Sequence, residues 1–208
     1  MRLFISAGTI TFATAIGAPA LADDTAVFGS PGQLAVSSDM QLILQGQSYS
    51  APNGQTSPSS TTEVALEPAA DFFVIQGLSA GGQLIYLHVS TSSSVPGTSG
   101  SSADGFGIAP RVGYNIALGD MFSIWPKVFF EYLATSSSNG GGSTNSFSIG
   151  AFVPFLVHPA KHFFLGLGPN VQTQLSNTAS VNGQSADAVK TTQYGLMFVV
   201  GGWLSLGG

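Results

Sequence analysis

Two short patterns in this sequence have residue types that could do chemistry. His88-Val-Ser90 places an imidazole two residues from a hydroxyl, so a base and a serine nucleophile would share one face of a strand. His158-Pro-Ala-Lys-His162 places two histidines beside a turn. Both patterns are incomplete. No acid is placed to orient His88 as nucleophilic catalysis requires, and two turn histidines fall short of a metal-ion ligand set. No metal site, no cofactor and no enzymatic activity are therefore expected. A third set is larger: Asp39, Glu63, Glu67, Asp71, Arg111, Lys127 and Glu131 recur on one face of alternating segments. Buried charges need partners, because an unpaired one costs several kcal/mol. These seven are expected to form an ion network.

The composition narrows what can carry them. Of 208 residues, 5 are Lys or Arg and 10 are Asp or Glu, so 7% are charged, against about 25% in ordinary soluble domains. Hydrophobic residues still reach 44% and the mean hydropathy is +0.33. Aromatic residues at 11% argue against a disordered chain. A net charge of -5 leaves no basic surface for phosphates, which excludes nucleic acid as a partner. The absence of cysteine excludes disulfides, thiolate metal sites and cysteine nucleophiles.

Met1-Arg2, the apolar stretch Leu3 to Ile16 and the small-x-small Ala20-Leu21-Ala22 have the form of a secretory leader cleaved before Asp23. The predicted organisation is a leader over 1–22, a short lead over 23–32 and one domain over 33–206. Arg111, Lys127, Lys161 and Lys190 are then the only strong bases. No later apolar run is long enough for a spanning helix, and the Gly, Ser, Thr and Phe content disfavours helices of any kind.

Period-two alternation predicts eight strands instead. The clearest covers Phe106 to Leu118, with Phe106, Ile108, Val112, Tyr114 and Ile116 facing Gly107, Ala109, Arg111, Gly113 and Asn115. Phe122 to Ala134, Phe147 to Val157, Phe163 to Val171 and Thr191 to Leu206 repeat it, and three noisier segments precede them. In the weakest, Gln83 to Val89, the outward set is read as Ile85, Leu87 and Val89, which turns His88 and Ser90 inward. Connectors alternate between long Ser/Gly/Asn-rich ones (49–61, 92–104, 135–145, 176–190) and short ones (77–81, 119–121, 159–161). An up-and-down meander follows, with the first segment, Gln33–Tyr49, closing on Thr191–Leu206.

A soluble barrel would turn its charges outward, but here the face opposite the apolar one is small or polar and nearly uncharged. Turning the apolar face to lipid and the charges into a narrow interior removes the conflict, since an Arg at a bilayer midplane costs about 2–4 kcal/mol. The predicted fold is thus all-β, an eight-stranded antiparallel transmembrane β-barrel. Phe122, Phe155 and Phe163 near short turns, with Phe72, Phe106, Tyr132, Phe147 and Tyr194 elsewhere on the same face, form its interfacial aromatic belts. An eight-stranded interior is just wide enough for side chains to fill, so the charges are expected to plug it.

In this architecture the chain resembles the small outer-membrane barrels of the OmpA transmembrane domain, OmpX and OmpW type, over about Pro31 to Leu206. The resemblance implies export to the outer membrane, long loops outside the cell and short turns in the periplasm. It implies outer-membrane lipid, the barrel assembly machinery and periplasmic chaperones as partners, a monomer, and a structural or surface-interaction role. Such barrels commonly end on an aromatic residue, whereas this sequence ends Trp203-Leu-Ser-Leu-Gly-Gly, which places Trp203 near the girdle. The alternatives are a narrow passive pore and a lipid hydrolase, because lipid A deacylases of similar architecture carry a His-x-Ser pair with an acid.

Overall fold

In the computed structural model the described residues are 27–42, 59–93, 101–138 and 142–206, with 40–42, 59–63 and 91–93 described for the backbone alone. The predicted leader over 1–22, residues 43–49 of the first predicted segment and the side chain of Glu63 lie outside them. Among the described residues the protein is all-β with no helix, an antiparallel sheet closed into a ring of eight strands.

The first strand is Gln33–Leu42. The second runs as Ser59–Leu66 and Pro68–Phe73, the third is Leu78–Ser93, and the fourth is Ser101–Tyr114 followed by Ile116–Ala117. The fifth joins Phe122–Ile124 to Lys127–Ser137, and the sixth joins Ser143–Phe152 to Phe155–Ala160. The seventh is Phe163–Val181; the eighth joins Gln184–Asp187 to Thr192–Ser205. Each strand pairs with its sequence neighbour. The ring closes where the first strand meets the eighth, from Gln33 opposite Ser205 to Leu42 opposite Leu196.

Proline sets where the ladders break. Lacking an N–H, it cannot donate to a neighbouring strand. The fifth and sixth strands are interrupted at Trp125-Pro126 and Val153-Pro154, which lie side by side. The remaining groups bridge the gap: Trp125 N–H donates to Pro154 O at 3.0 Å, and Tyr114 N–H to Pro126 O at 2.9 Å.

The Ser-rich connectors are shorter than expected. Ser101–Asp104, Thr135–Ser137 and Ser143–Asn145 all lie on strands. Residues 176–190 are a hairpin extension, with Thr178 to Val181 laddered on Gln184 to Asp187. Its two-residue turn is Asn182-Gly183, with φ of 52° and 79°, the left-handed pair that Asn-Gly favours in a tight hairpin. Backbone hydrogen bonding continues these strands past the point where hydrophobic alternation stops.

Two outward assignments also change. In the third strand the outward residue is Leu84, 63% exposed, while Ile85 is 7% exposed and turned in. The continuous pairing of Leu78–Thr91 with Tyr114–Ser101 fixes this, because it puts Leu84 opposite Ile108 and Tyr86 opposite Phe106, both outward. Ile85 faces Gly107, where an added Cβ would lie 3.4 Å from it. Trp203 is likewise buried inside the ring and not at a girdle. The interior is not merely small and polar, for Phe73, Trp125, Phe152, Phe164, Leu156 and Val199 fill much of it.

Closure yields the first prediction. Directly opposed residues on antiparallel strands have Cβ atoms about 4.5–5.5 Å apart. A short bifunctional thiol reagent should therefore couple the pair Leu34→Cys with Leu204→Cys in this cysteine-free chain. The control Leu34→Cys with Leu196→Cys should stay uncoupled on a denaturing gel.

Candidate functional site

Arg111 anchors the interior. It extends from the fourth strand, and the second strand brings Asp71 to it across Gly81 of the third. Glycine is required there, because a Cβ on Gly81 would lie 2.6 Å from Asp71 Oδ1. Arg111 Nε donates to Asp71 Oδ1 at 2.9 Å, and Nη2 closes a second bond to Asp71 Oδ2. This is the bidentate fork that a planar guanidinium makes with a carboxylate. Nη1 donates to Asp39 Oδ2 at 2.6 Å, and weaker bonds reach Gln83 Oε1 and Ser37 Oγ.

Asp39 is shared. Its carboxylate also accepts from Lys127 Nζ at 3.3 and 3.4 Å. Lys127, on the fifth strand, is 2% exposed and lies with Nζ 4.5 Å from the Trp125 ring centroid and 5.0 Å from that of Phe152. Both π faces are cation acceptors in a desolvated setting. Gly113 leaves room for the arrangement, since a Cβ there would sit 2.6 Å from Trp125 Nε1 and 3.0 Å from Lys127 Cγ. Two cations and two carboxylates thus cancel inside the ring.

Glu67 and Glu131 stand apart from the ion pairs. Both line a cavity of about 20 Å³ together with Asp39, Arg111, Lys127 and Gln172. Glu67 Oε2 accepts from Gln83 Nε2 at 2.7 Å, which joins it to Arg111 through one amide. The structure therefore brings six of the seven charges to one interior column; the seventh, Glu63, is not described beyond its backbone.

Below the ions lies an aromatic floor that sequence alternation did not reveal. Phe28, from the lead ahead of the first strand, makes ring contacts with Phe73, Trp125, His158, Phe164 and Trp203 at centroid distances of 5.0–5.3 Å. Its segment is tied down by Asn115 Nδ2 donating to Phe28 O at 2.9 Å and by Gly29 N–H donating to Gln33 Oε1 at 2.8 Å. His158 and His162 pack on Trp203 at 5.4 and 5.3 Å, beside an open hollow of about 610 Å³ at the short-turn end. Among the described residues no three His, Asp or Glu side chains are grouped to hold a metal.

Outside the ring, Phe72, Phe106, Phe122, Phe147, Phe155, Phe163 and Tyr194 are exposed and Tyr132 is partly so. Three aromatic pairs bridge neighbouring strands on this face: Tyr86 with Phe106, Tyr132 with Phe147 and Phe122 with Phe155. His88 and Ser90 share this outer face, reversing the inward placement expected from alternation. The pairing of the third and fourth strands sets His88 opposite Asp104, and His88 Nδ1 lies 2.8 Å from Asp104 Oδ1. Asp104 was hidden because a Ser- and Gly-rich stretch around it carries no apolar period.

The sequence matches no protein-family model and no curated protein.

Removing one partner of a buried ion pair costs about 3–5 kcal/mol, because it strands the other charge. Arg111→Met should lose that much in urea unfolding followed by the fluorescence of Trp125 and Trp203, both inside the ring. Arg111→Met with Asp71→Leu leaves the balanced Asp39–Lys127 pair and should recover most of the loss.

Proposed function

We propose that the chain is a transmembrane β-barrel of a bacterial outer membrane, with a side-chain-filled lumen and a structural or surface-interaction role. The observation that carries this reading is the division of side chains between the two faces of the ring. Among the described residues, no charged side chain lies on the outer face between the two aromatic levels, while Leu84, Ile108, Val112, Val128 and Phe130 are exposed there. In water such a surface would be an extended apolar patch of the kind that monomers rarely show. In lipid it is the ordinary exterior.

The spacing of the aromatic levels supports the same conclusion. Phe122 and Tyr132 mark them on the fifth strand, ten residues apart. At about 3.3 Å per residue this is about 33 Å along the strand. A tilt of about 35–45° reduces it to about 23–27 Å, against an apolar band of about 25 Å in such barrels. A closed ring also suits a bilayer because it leaves no backbone edge unpaired. Beyond the upper level the strands carry hydroxyl pairs, Ser180 with Ser185 at 2.6 Å and Ser102 with Ser138 at 2.9 Å. They form a polar collar for the cell exterior, the surface offered to partners. Outer-membrane lipid, the assembly machinery and periplasmic chaperones are the other partners of a monomeric barrel, as its likeness in architecture to the OmpA, OmpX and OmpW barrels implies.

The lumen is read as plugged. A water needs about 10–15 Å³, so a cavity of about 20 Å³ lined by Arg111, Lys127 and Glu131 has room for about one water and not for a continuous column. The aromatic floor around Phe28 adds a second barrier.

Two measurements test this. Val128→Arg, near the midpoint of the proposed band, should lower folding stability in phospholipid vesicles by about 2–4 kcal/mol; a change below about 0.5 kcal/mol would overturn the lipid-facing assignment. In planar bilayers the protein should give no steady single-channel conductance. Robust conductance would replace the plug by a narrow pore.

A further inference from the structure

We infer that the hollow at the short-turn end is a binding site for a single-chain fatty acid, with the hydrocarbon laid against the aromatic floor and the carboxylate held by Trp203 and His162. The hollow has a volume of about 610 Å³, within the range of about 300–1,000 Å³ common to small-ligand sites. Two turns frame it, one between the fourth and fifth strands and one between the sixth and seventh. They are tied together where His158 N–H donates to Met121 O at 2.9 Å and where Ser123 Oγ lies 3.0 Å from His158 Nε2.

The wall suits a hydrocarbon chain. Phe28, Ala117, Met121, Ala160 and Trp203 all line it. Ala117 stands opposite the buried Ser123, so its methyl group shares the inner face of the ring. Phe28 closes the inner end, with Trp125 and Phe164 packed on it at 5.3 and 5.1 Å. The hollow is therefore blind, and a chain that enters from the short-turn side stops at the floor.

The head is specified by an unpaired donor. Trp203 is 8% exposed, and its Nε1 has no hydrogen-bond partner among the described residues. An indole N–H only donates, and leaving a buried donor unmatched is unfavourable. The interior does not tolerate this elsewhere in the same residue type, for Trp125 Nε1 donates to Ser79 Oγ at 3.1 Å. His162 Nδ1 is likewise buried without a partner. The two side chains form one unit, with rings 5.3 Å apart and Trp203 N–H donating to His162 O at 3.0 Å. His162 is fixed in the left-handed region, at φ of 60°, by its tight turn. One oxygen of a carboxylate would accept from the indole and the other from the imidazole. Bonds to such an anion are about twice as strong as those to a neutral carbonyl. Lys161 and Asp120, also on the lining, offset each other in formal charge, so these hydrogen bonds make the selection.

The test uses the full chain in maltoside micelles, mixed with laurate and read by native mass spectrometry. One laurate per chain is expected. A terminally brominated undecanoate should quench the tryptophan fluorescence, whereas plain undecanoate should not. Methyl laurate, which has the same chain without the anionic oxygen, should bind about tenfold or more weakly. Trp203→Phe keeps a ring on the floor and removes the donor; it should weaken laurate about tenfold or more and leave methyl laurate unchanged. Ala117→Phe fills the hollow and should abolish binding of both. Laurate bound equally by the parent and both variants lies elsewhere on the apolar wall, which overturns the site. Methyl laurate bound as tightly as laurate overturns the carboxylate assignment. Should either variant fail to fold, the parent chain still decides, because no quenching by the brominated acid overturns the proposal.

Discussion

Two positive and two negative side chains share a space with almost no water to solvate them, and the compensation among them governs the rest of the ring. Taking an ion from water into such a setting costs several kcal/mol unless its partners are close and well aligned. The first, second, fourth and fifth strands each contribute one member, and the third contributes Gln83 and the gap at Gly81. A one-residue slip of any of these strands would flip its charge to the outer face. The network therefore fixes register as well as filling space, and it keeps Asp39, Asp71, Arg111 and Lys127 on the inner face.

The eight-strand order was legible wherever one face was large and apolar and the other small. Phe106 to Leu118 is such a segment, and the fourth strand covers nearly the same residues. The third strand was not, because Leu84 and Tyr86 alternate with Ile85 and Leu87 and both faces read as apolar. Only the backbone pairing with Phe106 and Ile108 resolves the choice. The same lack of contrast concealed the floor, where Phe73, Phe164 and Trp203 sit inside against equally apolar outward neighbours.

The site residues divide along similar lines. Asp39, Asp71, Arg111 and Lys127 were visible as rare charges on one parity, although the sequence could not say that Asp39 is shared by both cations. Gln83 and Ser37, which complete the guanidinium shell, were indistinguishable from the many uncharged polar residues of this chain. Asp104 lies 16 positions from His88, in a stretch without apolar period, so its meeting with the histidine depends on hydrogen-bond register alone.

Phe28 belongs to the lead, yet its ring partners are spread from Phe73 to Trp203. The residue made early in synthesis can thus be seated only when the end of the chain has arrived. Contacts of such long sequence separation form slowly, since loop closure must be paid first. The floor thus ties the lead to the eighth strand, so Phe28 completes its packing only where the first and eighth strands have met.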